Sequence, residues 1–256
     1  NNLSGEQGQN AYRGSVFFAG NSTGTGLRAV ESDSNLTFGT GDFTIEFWIF
    51  KNNSDNAVFL DWRHTSGGNQ GKRITLYSDS DLNFFNGTGD QISGSSPLST
   101  NTWNHVALVR SSGVTRLYLN GTSQGTYTDT NNYSTTSLVF GANAVNFGHD
   151  TNGRISNLRI VNGTAVYTSQ FKPPTEPLTN ITNTKLLCFN NSSTTGTTVG
   201  TITASGDPTA YADSPFDDPA AFKFGENEDT PIIKTGFYMG DATAGNKVNL
   251  GWEPSW

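Results

Sequence analysis

The stretch from Asn101 to Thr122, NTWNHVALVRSSGVTRLYLNGT, constrains the fold of this chain more than any other. Its first part, Trp103 to Arg110, alternates: Val106 and Leu108 share one face, while His105, Ala107 and Val109 share the other. Side chains on a strand point alternately to opposite sides, so apolar residues on both faces predict a strand covered from both sides. Ser111-Ser112-Gly113 supplies a reversal, because glycine takes positive φ without steric cost. The return strand, Val114 to Leu119, puts Thr115, Leu117 and Leu119 on one face and Val114, Arg116 and Tyr118 on the other. Asn120-Gly121 then turns the chain again. Such a hairpin belongs towards the centre of a sheet.

The same rhythm runs through most of the chain. Strands are predicted at Ser15–Phe18, Leu27–Val30, Phe43–Phe50, Ala57–Trp62, Arg73–Tyr77, Leu82–Phe85 and, briefly, from Gln91. After the hairpin come Gln124–Tyr127, Leu138–Gly141, Gly153–Val161, Thr184–Phe189 and Thr197–Ala204. In FTIEFWIF, Phe43, Ile45, Phe47 and Ile49 share one face and Thr44, Glu46, Trp48 and Phe50 the other, so Glu46 is the polar exception in another central strand. Strand runs separated by Gly/Asn turns, at intervals of about 8–15 residues, are the signature of a sandwich or barrel. The 29 glycines and the 14% of charged residues suit that reading and disfavour helices, which want Ala, Glu, Lys and Leu. The fold class is all-β.

Organisation and compartment follow from the remaining residues. Residues 1–12 lack periodicity and read as a lead-in or linker. Pro173 and Pro174 interrupt the strand pattern, yet strands resume beyond them; DSPFDDP, from Asp213, is the better boundary. The sandwich therefore spans 13–216, and 217–256 is a linker with the start of a second module or a docking segment. The net charge of −7 and scattered Lys/Arg exclude a nucleic-acid partner. No apolar run approaches the ~20 residues that span a bilayer, so no membrane insertion is expected. The chain opens on Asn without a signal-peptide pattern, which reads as a fragment or processed product. Cys188, alone in LLCF, is expected to be a small buried hydrophobe.

SVFFAG, GTGDFTIEFWIF, the central hairpin and GRISNLRIVNGTAVY together resemble the laminin-G-like, concanavalin-A-like jelly-roll family, over about residues 13–216. That resemblance implies an antiparallel two-sheet β-sandwich with a short C-terminal extension. The segment VNGTAVYTSQFKPP, followed by TKLLCF, also looks like copies found in structural proteins of marine bacteriophages, and the end of the chain, from Phe222, looks like the opening of a module of phage tail-fibre and virion proteins. The implied setting is the surface of a virion. The implied partners are other virion proteins, copies of this chain (a trimer among the arrangements) and a host cell-surface glycan or protein.

The fold does not choose between binding and catalysis, so the chemistry must be sought in the residues. Glycoside hydrolysis needs two carboxylates across the scissile bond. No E-x-D-x-E run is present, and Glu46 reads as a strand acid paired with arginine or capped by backbone. The histidines His64, His105 and His149 sit in unrelated contexts without a G-x-S-x-G elbow, and no His/Cys cluster has metal spacing. The expectation is a non-enzyme. Calcium is the one ion the resemblance implies; its candidate ligands are the turn acids Asp61, Asp79 and Asp81, with Asp90 and Asp150 behind them. No cofactor is otherwise required. For a sugar, an exposed aromatic platform beside polar groups is wanted, and Trp62 and Tyr77, flanking the Arg63–Lys72 loop, are the candidates. Trp48 and Trp103 are assigned to the core. Asn-x-Ser/Thr triplets are frequent in so Asn-rich a chain, and no glycosylation is inferred from them. The readings beside a tail-fibre adhesion module are a capsid-decorating protein, a secreted bacterial lectin-like adhesin and a glycoside hydrolase.

Overall fold

A computed structural model describes residues 14–20, 26–29, 36–62, 73–134, 138–144, 149–191, 193–194, 197–205 and 208–216. All lie in the first of two units, Asn1–Phe216 and Asp217–Trp256; the extension beyond Phe216 lies outside the described residues. The strands are β1 Ser15–Ala19, β2 Gly26–Ala29, β3 Phe43–Lys51, β4 Ala57–Trp62, β5 Ile74–Ser78, β6 Asp81–Phe85, β7 Asp90–Pro97 and β8 Trp103–Ser111. They continue as β9 Val114–Leu119, β10 Thr122–Thr128, β11 Leu138–Phe140, β12 Asn152–Asn162, β13 Thr184–Cys188, β14 Thr197–Val199, β15 Ile202–Ser205 and β16 Thr209–Tyr211. No helix of the described residues is long and apolar enough to cross a membrane.

The strands form two antiparallel sheets. One runs β10-β9-β8-β3-β12-β1-β16, with β13 and β14 beside the far half of β12; the other runs β15-β2-β11-β4-β5-β6-β7. Between them lies one apolar core, to which β3 contributes Phe43, Ile45, Phe47 and Ile49, β8 contributes Val106 and Leu108, and β5 and β6 contribute Leu76 and Phe84. The alternation of β3 and β8 is as their sequences predict. The hairpin turn holds Ser112 at φ +51° and Gly113 at +74°, and the next turn holds Asn120 at +50° and Gly121 at +78°. Two consecutive positive φ values match the right-handed strand twist, which explains the Ser-Gly and Asn-Gly pairs. The hairpin itself lies one strand in from the β10 edge, with β3 and β12 nearer the centre.

Two departures from the sequence reading follow from backbone geometry. Thr197–Ala204 is not one strand: at Gly200, φ +85°, the chain leaves β14 in the first sheet and enters β15 in the second. Strand β16, which no apolar run announces, pairs with β1 at the sheet edge.

The outer face of the first sheet is partly covered by the irregular segment after β12. Gly163 N donates to Asp42 O, Val166 N to Thr44 Oγ1, and Phe171 N to Gly121 O. Tyr167 and Phe171 stack at 3.7 Å and 6°, and with Ala165 they pack on Ala107, Val109 and Tyr118. These are outward apolar residues of the central hairpin; Val114, on the same face, stays half-buried. The proline-containing stretch is thus a strap that supplies their second cover. At the end of the sheet, the buried Arg110 donates to the carbonyls of Gly39, Gly41 and Asn131, fixing the GTGD turn before β3.

Candidate functional site

The acid most open to a catalytic reading, Glu46, is fully buried beneath the strap. Its Oε1 accepts from Arg159 Nε at 2.9 Å and Nη2 at 2.6 Å; its Oε2 accepts from Tyr167 OH at 2.7 Å and lies 3.4 Å from His105 Nε2. Burial by itself would raise the carboxyl pKa, but His105, Arg159 and Tyr167 outweigh it and hold the group below its ordinary value. The pairing depends on a β-bulge. From Ser156 to Arg159 β12 advances three residues while β3 advances two, Trp48 to Glu46. The extra residue lets Leu158 and Ile160 point inward while Arg159 points out, opposite Glu46. Glu46 is a paired strand acid, as its sequence context predicts, and it anchors the strap. Cys188 is likewise buried, and burial pushes its thiol pKa well up.

On the other sheet the outward residues of β5 and β6 form a different surface. Ile74, Leu76, Leu82 and Phe84 point inward, which leaves Thr75, Tyr77, Asn83 and Phe85 outward, and the register sets Thr75 beside Phe85 and Tyr77 beside Asn83. Tyr77 and Phe85 are half-buried. Tyr77 OH donates to the exposed Asp90 carboxylate at 2.8 Å, the Arg73 guanidinium stands 4.5 Å over the Phe85 ring, and Asn83 Nδ2 donates to Asp79 Oδ1 at 2.7 Å. Burial first, and then the Asp90 carboxylate, push the Tyr77 phenol up, so it is a neutral donor in ordinary buffers. Two rings therefore share a face with two carboxylates and a guanidinium, while the Asn83 amide between them is buried and bonded to Asp79 and the Asp81 carbonyl. Such a surface can take the apolar side of a ligand on its rings and fix its hydroxyls with the polar groups.

Only some of the sequence candidates meet there. Tyr77 does. Trp62 is 1% exposed and packs edge-on to Phe38 with ring centroids 4.3 Å apart, so it is a core residue and not an exposed platform. The cause is a second bulge. Between Val58 and Leu60 β4 gains a residue against β5, so Leu60 and Trp62 face Leu76 and Ile74 inward while Asp61 faces Thr75 outward. Asp61 is also buried, with Oδ1 accepting from Thr75 Oγ1 and Oδ2 from Ala144 N, each at 2.8 Å. Its carboxylate holds the 144 segment to the sheet instead of facing an ion. Asp79 and Asp81 flank the tight turn before β6, where Asp79 N donates to Asp81 O.

Calcium needs several hard oxygens converging on one point. Among the described residues no three His, Cys, Asp or Glu side chains converge as a metal cage, and the Asp61 carboxylate is bonded to Thr75 and Ala144 N. Trp48 and Trp103, assigned to the core, lie half-buried on the outer face of the first sheet, against His105 and Phe50 respectively. His64 and the Arg63–Lys72 loop lie outside the described residues. Phe85 and Arg73 were missed; the alternation D-L-N-F-F shows Phe85 on the same side as Asn83, but not that it stays half-exposed.

The two-sheet architecture agrees with a match of residues 20–170 to the family model described as the concanavalin A-like lectin/glucanases superfamily, Laminin_G_3. The chain belongs to this superfamily. Among solved structures, this superfamily member is similar to a native heptameric SAP-like pentraxin from Limulus polyphemus, at 17% identity and a TM-score of 0.57, over 80% of this chain and 97% of that one. It is also similar to a putative carbohydrate binding protein from Bacteroides ovatus, at 19% identity and a TM-score of 0.51, over 78% of this chain and 62% of that one. These likenesses are of fold. A search of curated protein sequences finds no match.

Proposed function

We propose that this lectin-like sandwich is a non-enzymatic carbohydrate-binding module whose ligand lies on the outer face of β5 and β6. The observation that carries the reading is the shared face of Tyr77 and Phe85, two half-buried rings flanked by Asp90, Asp79 and Arg73. A pyranose presents an apolar C–H face that stacks on such a ring, and hydroxyls that bond the carboxylates and the guanidinium beside it. The similarity in fold to the Bacteroides ovatus putative carbohydrate binding protein supports the same class of ligand.

The setting we propose is a phage appendage, a tail fibre being the leading case. Its sandwich would meet a host surface glycan or protein at the virion surface, and its ends would join other virion proteins or copies of the chain. This setting is supported by the resemblance of VNGTAVYTSQFKPP and of the C-terminal segment to phage structural proteins. The hydrolase reading is disfavoured by Glu46, whose carboxylate is buried and engaged by Arg159 and Tyr167.

The test is to present the full chain to a printed array of neutral and acidic oligosaccharides, with a reducing-sugar assay on the array's strongest binders. Binding without release of reducing ends supports the proposal; release that is lost in Glu46→Gln contradicts it.

A further inference from the structure

The outer face of the first sheet carries a second aromatic surface, on the opposite side of the sandwich from Tyr77. Strand register places Phe17 of β1, Arg154 of β12, Phe50 of β3 and Trp103 of β8 in one continuous cross-strand row. Three interstrand steps make that row roughly 14 Å long. Tyr211 of β16 extends it, with its ring 6.0 Å from Phe17 and 47% of its surface exposed. Phe17, Phe50 and Trp103 are half-buried. The contacts of the strap from Gly163 fall on Thr44, Glu46 and the outward hairpin residues, further along β3 and β8, while Asp213 and Phe216 reach the face at Arg154 and Trp48.

Arg154 organises the row. Its guanidinium carbon lies 4.0 Å from the Phe50 ring centre, 5.4 Å from Tyr211 and 5.8 Å from Trp103, and its Nε is 3.0 Å from Asp213 Oδ2. The Arg154 and Asp213 side chains keep 16% and 39% of their surface exposed. A guanidinium held by three rings and a carboxylate is already ordered, so a ligand that bonds to it loses little additional side-chain entropy.

We infer that this row is a second carbohydrate site, which takes a short neutral oligosaccharide along Tyr211, Phe17, Phe50 and Trp103, with Arg154 and Asp213 bonding its hydroxyls. Its ligand class rests on the reading of the chain as a carbohydrate binder. A neutral ligand is favoured because Asp213 offsets the charge of Arg154 and because the chain carries −7 overall, which repels anions. With sites on both faces, one domain bridges two glycan strands.

The test is calorimetric titration of the full chain with cellotetraose, laminaritetraose and mannotetraose, read as the number of sites. Two sites are expected. Tyr77→Ala/Phe85→Ala removes one, and in that background Trp103→Ala or Tyr211→Ala weakens the other about tenfold. Tyr211→Ala guards against misfolding as an explanation, since its ring is exposed at an edge strand. One site, abolished by Tyr77→Ala/Phe85→Ala and indifferent to Tyr211→Ala, overturns this inference and leaves the first site standing. One site with the reverse sensitivities supports this inference and overturns the first site. No heat with any of the three sugars, in a chain that binds other glycans on the array, overturns the inference alone; no glycan bound in either format overturns both.

Discussion

Arg159 reaches one oxygen of Glu46 with two nitrogens, Nε at 2.9 Å and Nη2 at 2.6 Å, from the neighbouring strand of the same sheet. Both side chains are buried, and Arg159 Nη1 continues to the carbonyl of Thr179. Removing one partner leaves the other charge buried without its counter-ion. Glu46→Ala is therefore expected to cost about 3–5 kcal/mol in chemical denaturation, whereas Glu46→Leu/Arg159→Leu recovers more than half of that loss. Equal losses for the single and double variants would show that the pair does not act as a unit.

The same pair gives a pH dependence. The folded carboxyl pKa of Glu46 lies below the ordinary value of 4.5, so the unfolded chain binds more protons in the interval between the two. The stability that Glu46 contributes is complete above that ordinary value and is lost as pH falls through the folded one. Unfolding free energy measured from pH 6 down to about pH 3 is expected to decline, and Glu46→Gln is expected to flatten the decline. Curves that run parallel for the two proteins would assign the acid sensitivity to other groups.

Much of the fold was legible in the sequence because strand alternation and turn chemistry are local. The inward sets of β3 and β8, the Ser-Gly and Asn-Gly turns and the burial of Cys188 follow from neighbouring residues; that Glu46 needs a partner follows from its place in a strand, but which arginine supplies it does not. The failures come from bulges, which one sequence does not reveal. The extra residue before Leu60 reverses the phase of β4, so Trp62, two residues from a loop and plausible as a platform, turns into the core and carries Asp61 to the outer side. The extra residue after Ser156 does the same in β12 and brings Arg159 to Glu46. Tyr77 and Asp90 come from β5 and β7, and Arg73, just before β5, meets Phe85 of β6, so only the pairing of these strands brings them together.

Gly121 tests how the strap is seated. A Cβ built there would run into the Phe171 carbonyl oxygen, and the residue sits at φ +78°. Phe171 N also donates to Gly121 O, so backbone meets backbone and neither flexes cheaply. Gly121→Ala is expected to lower stability by about 1–3 kcal/mol and to open the strap to chymotrypsin at Tyr167 and Phe171. Unchanged cleavage at Tyr167 and Phe171 would mean that the strap is held by other contacts.

The most direct measurement of the central claim is the binding of the full chain and of Tyr77→Ala/Phe85→Ala to the oligosaccharide array, with the folded state of each checked by thermal denaturation. Because both side chains are half-buried on the outer face, the double variant is expected to stay folded and to lose at least about tenfold in affinity for the glycans that bind through this face. Undiminished binding by the folded double variant, or no glycan bound by the unmodified chain, would contradict the account.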